Sequence, residues 1–143
     1  VNFLDIKLNT EELRYIALFE QITNAKVIDC IIDDESIIFV IESGDMGAAI
    51  GKGGTNINKV KKTLNIPIEV IEYSENVEEF IKKSFYPVHI KKINISDDKN
   101  RKIAFVEVSS ENKGLAIGKN GKRVKKAIKL ARRHHSIDTI VIN

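Results

Sequence analysis

The sequence predicts an α+β fold built twice over: two tandem units, each a small sheet with helices on one face. Three observations predict it. The stretch Ala49-Ile50-Gly51-Lys52-Gly53-Gly54 returns 67 positions later as Ala116-Ile117-Gly118-Lys119-Asn120-Gly121, with Gly47 matched by Gly114, Lys59 by Lys126 and Lys62 by Lys129. The same order of helical and strand-like patterns surrounds both copies. No Gly/Ser-rich or Pro-rich linker separates the halves, 1–73 and 74–143. About seventy residues make a thin core for a unit alone, so the halves are expected to pack together.

In the first half, Leu4, Ile6 and Leu8 alternate with Asp5 and Lys7, the pattern of a short edge strand. Asn9 followed by Glu12 resembles a capping box, and Tyr15, Leu18, Phe19 and Ile22 then fall at i, i+3, i+4 and i+7, so a helix is expected up to Asn24. The β-rich runs 26–32 and 37–43 flank Asp33-Asp34-Glu35-Ser36, a turn of hairpin length. A short helical stretch around Gly47-Ala48-Ala49-Ile50 leads to the glycine corner and a helix over about 54–64. Ile57, Val60 and Leu64 form its inward stripe, and Lys59, Lys61 and Lys62 stay outside. Asn65 ends it, Pro67 cannot continue it, and Ile66 to Ile71 is a strand.

The second half repeats this order. Asn76 and Glu79 cap a helix whose stripe is Val77, Phe80, Ile81 and Phe85, closed by Pro87. Strands at about 88–95 and 103–109 flank the polar turn Ser96-Asp97-Asp98-Lys99-Asn100, so that Phe39-Val40 matches Phe105-Val106 and Asp33-Asp34 matches Asp97-Asp98. The last helix runs to about His134, and Ile137 to Ile142 matches Ile66 onwards at a spacing of 71, which makes this helix about four residues, or one turn, longer than its counterpart.

Composition narrows the function classes. The longest apolar run, Ile37 to Ile41, is too short to span a membrane. No charged-then-apolar leader opens the chain, so nothing marks it for export. The single cysteine, Cys30, excludes an internal disulfide framework, fits a reducing cytoplasm and is expected in the core. Net charge is +3, but residues 1–73 carry 7 Lys/Arg against 12 Asp/Glu, and residues 74–143 carry 16 against 8. The stretch 112–135 holds nine Lys/Arg and no acid, a candidate footprint for a polyanion.

The corners carry the chemistry. A glycine at each end lets the backbone turn sharply and keeps side chains out of a ligand's way. The helix that follows aims its N–H groups and the positive end of its dipole at whatever docks there. One such corner suits a phosphate, and two on one chain suit a polymer of phosphates.

With the Ile-Gly-x-x-Gly corners at Ile50 to Gly54 and Ile117 to Gly121, the chain resembles a pair of K-homology (KH) domains of type II, α-β-β-α-α-β, topology. A tandem pair with almost nothing else resembles the short archaeal form of the transcription termination/antitermination factor NusA, since 143 residues leave no room for the further domains of the bacterial form. The resemblance implies single-stranded RNA as ligand, its backbone clamped over about four nucleotides by the Gly-x-x-Gly loop. That role falls to Gly51, Lys52, Gly53 and Gly54, and to Gly118, Lys119, Asn120 and Gly121, with Lys122 and Arg123 adding charge. Bases would lie over an apolar groove, for which Ile50, Ile57, Ile117 and Val124 are the nearest matching positions; core packing is the competing role, above all for Ile57 and Val124. The first corner's extra glycine is expected to loosen it without breaking the pattern.

Other classes fit less well. A phosphate-binding P-loop needs glycine five positions before its Gly-Lys pair and Ser/Thr after the lysine, where this chain has Met46 and Gly53, then Lys113 and Asn120. His134 and His135 suit a basic helix end, Asp33-Asp34 suits a turn, and no nucleophile–base arrangement, metal site or cofactor is expected. Aromatic content of 6% without tryptophan argues against readers that stack bases on aromatic rings. A KH-scaffold adaptor, its acidic first half docking a basic partner such as RNA polymerase, and a ribosome-associated KH protein remain the alternatives.

Overall fold

The computed structural model describes residues 7–143. Their order is α1 (Thr10–Thr23), β1 (Val27–Ile32), β2 (Ile37–Ile41), α2 (Met46–Ile50), α3 (Thr55–Leu64) and β3 (Ile68–Glu72), then α4 (Val77–Ser84), β4 (Lys92–Asp98), β5 (Arg101–Glu107), α5 (Lys113–Ile117), α6 (Lys122–His135) and β6 (Thr139–Ile142). Each half is thus α-β-β-α-α-β around its own three-stranded sheet, β1-β2-β3 or β4-β5-β6. The chain divides into two compact units, with Ser74 the last residue of the first and Glu75 opening the second. In both sheets the middle strand pairs antiparallel with the first and parallel with the third. Parallel neighbours need a crossover of a dozen residues or more. The two short-helix–corner–helix segments are those crossovers, and this is why the glycine corners fall where they do.

In the first unit Asn9 caps α1 as expected: its side chain accepts from the Glu12 N–H at 2.8 Å, and the Asn9 N–H donates to the Glu12 carboxylate at 2.9 Å. The buried line of α1 is Ile16, Phe19 and Thr23, so the stripe is centred one residue away from the expected one, and Tyr15 and Ile22 pack at its flank. Ile16 and Phe19 meet Cys30, Ile37, Phe39 and Ile41 of the sheet and Ile57 and Val60 of α3. Cys30 is fully buried there. The edge strand expected over the first eight residues lies outside the described residues except at Lys7 and Leu8, which are irregular.

The second unit builds the same core from Ile81, Phe85, Ile93, Ala104, Val106, Ala127 and Ile140. Here the hairpin departs from expectation. Asp97 and Asp98 are strand residues of β4, paired with Lys102 and Arg101. The turn is only Lys99-Asn100, both left-handed at φ 49° and 65°, as a two-residue hairpin turn of type I′ requires. Polar letters mislead because β4 is largely exposed. The match of Asp33-Asp34 with Asp97-Asp98 therefore joins a turn to a strand. The match of Phe39 with Phe105 is also one residue out. Phe39 faces its core, whereas in β5 the core-facing residues are Ala104 and Val106. A one-residue slip in a strand exchanges the two faces. His134 stands in the basic last turn of α6 as expected, and there it is buried and edge-on to Phe80 with ring centroids 5.5 Å apart.

Candidate nucleic-acid interface

Both corners have one conformation. In the first, Gly51 (φ 75°, ψ 168°) ends α2, a single 3-10 turn covers Lys52–Gly54 with Gly53 left-handed (φ 64°, ψ 20°), and Gly54 (φ 79°, ψ 13°) opens α3. In the second, Gly118 (φ 80°, ψ 170°), Asn120 (φ 58°, ψ 26°) and Gly121 (φ 73°, ψ 14°) repeat those angles. Asn120 thus holds the left-handed turn that Gly53 holds. Asparagine is among the few side-chain-bearing residues that adopt it routinely, so the extra glycine of the first corner changes no geometry.

The outer glycines are required by contact as well as by angle. A Cβ on Gly51 would lie 2.8 Å from the Asn56 backbone nitrogen, and one on Gly118 would lie 2.8 Å from that of Arg123. Those two partners also brace the corners. Asn56 Nδ2 donates to the Ala48 carbonyl at 2.8 Å, and Arg123 Nη1 donates to the Leu115 carbonyl at 2.6 Å. An amide and a guanidinium at matching positions tie the short helix to the start of the long one.

The helices that follow the corners open unlike α1 and α4. The helices α1 and α4 begin with an asparagine cap and two glutamates in the first turn. Both α3 and α6 begin at a left-handed glycine, with no side-chain cap and no acid in the first turn. Lys122 and Arg123 stand at the first two positions of α6, against the helix dipole. Each such placement costs about 0.3–1 kcal/mol at an exposed site. A helix start of this composition suits an anion, which can meet both the N–H groups and the cations.

Lys52, Gly53, Lys119, Asn120 and Lys122 are exposed, while Ile50, Gly51, Gly54, Gly118, Gly121 and Arg123 are half-buried. The apolar positions expected to line a groove are not all open. Ile57 belongs to the first core, and Val124 packs against the second. Open apolar surface at the second corner comes instead from Ile117, 39% exposed, and Leu115, 59% exposed. The matching position to Leu115 holds Ala48, so an apolar letter where the other copy has a small one was the available signal. Lys125 is a second addition. Its Cε lies 3.5 Å, and its Nζ 4.0 Å, from where a Cβ on Gly121 would sit. Helix side chains lean toward the N-terminus, which is how a lysine four positions on reaches the corner. In the first unit Asn58 takes that place, its Nδ2 3.4 Å from the Cβ position of Gly54.

Among the described residues, no group of three or more His, Cys, Asp or Glu is placed to hold a metal ion. No helix among them is long and apolar enough to cross a membrane.

Comparison with known proteins adds a family. A model described as KH domain matches residues 13–75, and one described as NusA-like second KH domain matches residues 77–141. The probable transcription termination protein NusA of Methanococcus vannielii is 39% identical over 137 residues, covering 96% of this chain and 79% of that protein. The protein of the same name from Halobacterium salinarum is 35% identical, covering 96% of this chain and 98% of that one. Among solved structures, the crystal structure of APE1850 superposes with a TM-score of 0.82 at 38% identity, covering 95% of this chain and all of that one.

Proposed function

This chain belongs to the NusA family of tandem KH-domain proteins, and from that premise we propose that it is a transcription elongation and termination factor that binds single-stranded RNA through both glycine corners. The observation that carries this reading is the pair of equivalent corners, each opening an uncapped helix. At each, the backbone can approach phosphates over Gly51–Gly54 or Gly118–Gly121, with Lys52, Lys119 and Lys122 supplying charge. Arg123 has a double part, bracing the corner through Leu115 and adding charge beside it. Bases rest on Ile50 in the first unit and on Ile117 and Leu115 in the second. No catalytic step is assigned to any of these residues.

A narrow loop beside apolar surface needs unstacked bases, so the chain should prefer a single strand to a duplex of the same sequence. Filter binding of the two forms tests this, and equal affinity for both would leave only unspecific charge attraction. The protein partner that fits a termination factor is RNA polymerase. The acidic first unit, with Asp33, Asp34 and Glu35 exposed at the β1–β2 turn, is the surface we assign to it. Capture of purified polymerase by the wild-type chain but not by Asp33→Lys/Asp34→Lys is the expected result. Membership of the NusA family weighs against the ribosome-associated alternative.

A further inference from the structure

The helix α6 has 14 residues where α3 has 10, and the additional turn contributes Arg132 and Arg133. With Lys125 and Lys129 these cations surround a shallow depression of about 420 Å³ whose apolar member is Ile128. The positions 125, 128, 129 and 132 are i, i+3, i+4 and i+7, one line along the helix, and Lys129 and Arg132 are exposed. Its cations Lys125, Lys129 and Arg132 face away from the buried Ala127, Leu130, Ala131 and His134, while Ile128 at its edge is half-buried and packs against the second core. Its first member is the lysine that folds back over Gly121, so the track begins at the corner. The first unit has no equivalent: Asn58, Lys61, Lys62 and Asn65 stand at the matching positions, and the helix ends there.

We propose that RNA held at the second corner continues along this outward line of α6, its phosphates meeting Lys129, Arg132 and Arg133 and one nucleotide lying over Ile128. The proposal rests on the RNA-binding reading above and extends it to a directional second segment. Helix-dipole stabilisation accounts for cations in the last turn. It does not account for Lys125 and Lys129, which lie before that turn. Arg132 Nη2 donates to the Asp138 carbonyl at 2.7 Å, so its guanidinium is held in position and is left unaltered in the test.

The test compares the wild-type chain with Lys129→Gln/Arg133→Gln on random-sequence single-stranded RNA of two lengths, about 5 nucleotides, just over what a KH loop clamps, and about 15. For the longer RNA the double variant should lose on the order of tenfold in affinity at 0.1 M salt. Its slope of log affinity against log salt should flatten by about 1.4, or 0.7 for each lost phosphate. Affinity for the short RNA should not change, and the circular dichroism spectrum should match wild type. If the double variant does not fold, Lys129→Glu alone should show the same dependence on length. Equal losses on both lengths, or none on either, would overturn the track. So would unchanged RNA binding with lost capture of an acidic protein, which would make the line a protein-docking surface. A wild-type chain that binds the short RNA but gains nothing from the longer one would overturn this inference alone. One that binds neither would overturn the RNA-binding reading itself.

Discussion

At the scale of single residues, the corners separate two uses of glycine. Gly51 and Gly118, with ψ near 170°, lie in a backbone region that only glycine occupies readily, at a cost of about 1–3 kcal/mol for another residue. Any Cβ there also meets the backbone of Asn56 or Arg123. Gly54 and Gly121 are left-handed, and the neighbour of Gly121 is the flexible end of Lys125. Gly118→Ala should therefore destabilise by about 3 kcal/mol or more, and Gly121→Ala by only about 1–2 kcal/mol. Urea unfolding of the full chain measures both, and equal losses would show that the backbone contact is relieved elsewhere. Arg123 allows a finer test, because Asn56 performs the same bracing without charge. Arg123→Asn should keep stability to within about 1 kcal/mol while flattening the salt slope by about 0.7. Arg123→Ala should lose the brace as well. The sequence repeat makes the glycines legible, since few other residues tolerate those angles. Lys125 is not legible from it, because its part depends on the direction its side chain takes.

At the scale of elements, the expected order of helices and strands agrees with the structure, and the disagreements lie where polarity and burial part company. Capping residues locate the starts of α1 and α4, because Asn9 and Asn76 make the hydrogen bonds that their letters suggest. The strands β4 and β5 are misjudged because an exposed hairpin carries charges at ladder positions, and because Phe105 attracts a match that its face does not support. The stripe of α1 is misplaced by one residue since several apolar side chains compete for it and packing selects Ile16. The functional signal is clearest in the contrast between helix starts. Lys119→Asp with Asn120→Asp should abolish binding at the second corner, because two carboxylates would repel phosphate in front of the N-terminus of α6. Both positions are exposed and aspartate tolerates the left-handed conformation at 120. Unfolding stability should change by about 0.5 kcal/mol or less. Unchanged RNA affinity with an unchanged circular dichroism spectrum would remove this corner from the site.

At the scale of the whole molecule, two corners of one geometry stand in units of opposite charge. Residues 1–73 sum to −5 and residues 74–143 to +8, from 7 − 12 and 16 − 8. The first corner offers Lys52 with Thr55, Asn56 and Asn58 behind it, where the second offers Lys119 with Lys122, Arg123 and Lys125. The first also shows Ala48 where the second shows Leu115. On the proposed reading, charge attraction and open apolar surface both favour the second unit for RNA, which leaves the first to set register along the strand and to make protein contacts. Disabling one corner at a time in the full chain tests this without asking either unit to fold alone. Lys52→Asp with Gly53→Asp should weaken binding of a long single strand by less than tenfold and barely alter the salt slope. The matching pair at 119 and 120 should weaken it by well over tenfold, with the slope falling by about 2 if Lys119, Lys122 and Lys125 each lose a phosphate. The comparison is balanced, because aspartate replaces lysine and a left-handed neighbour in both cases. Equal losses at the two corners would mean that the acidic unit holds bases well enough to offset its own charge, and the division of labour would fail.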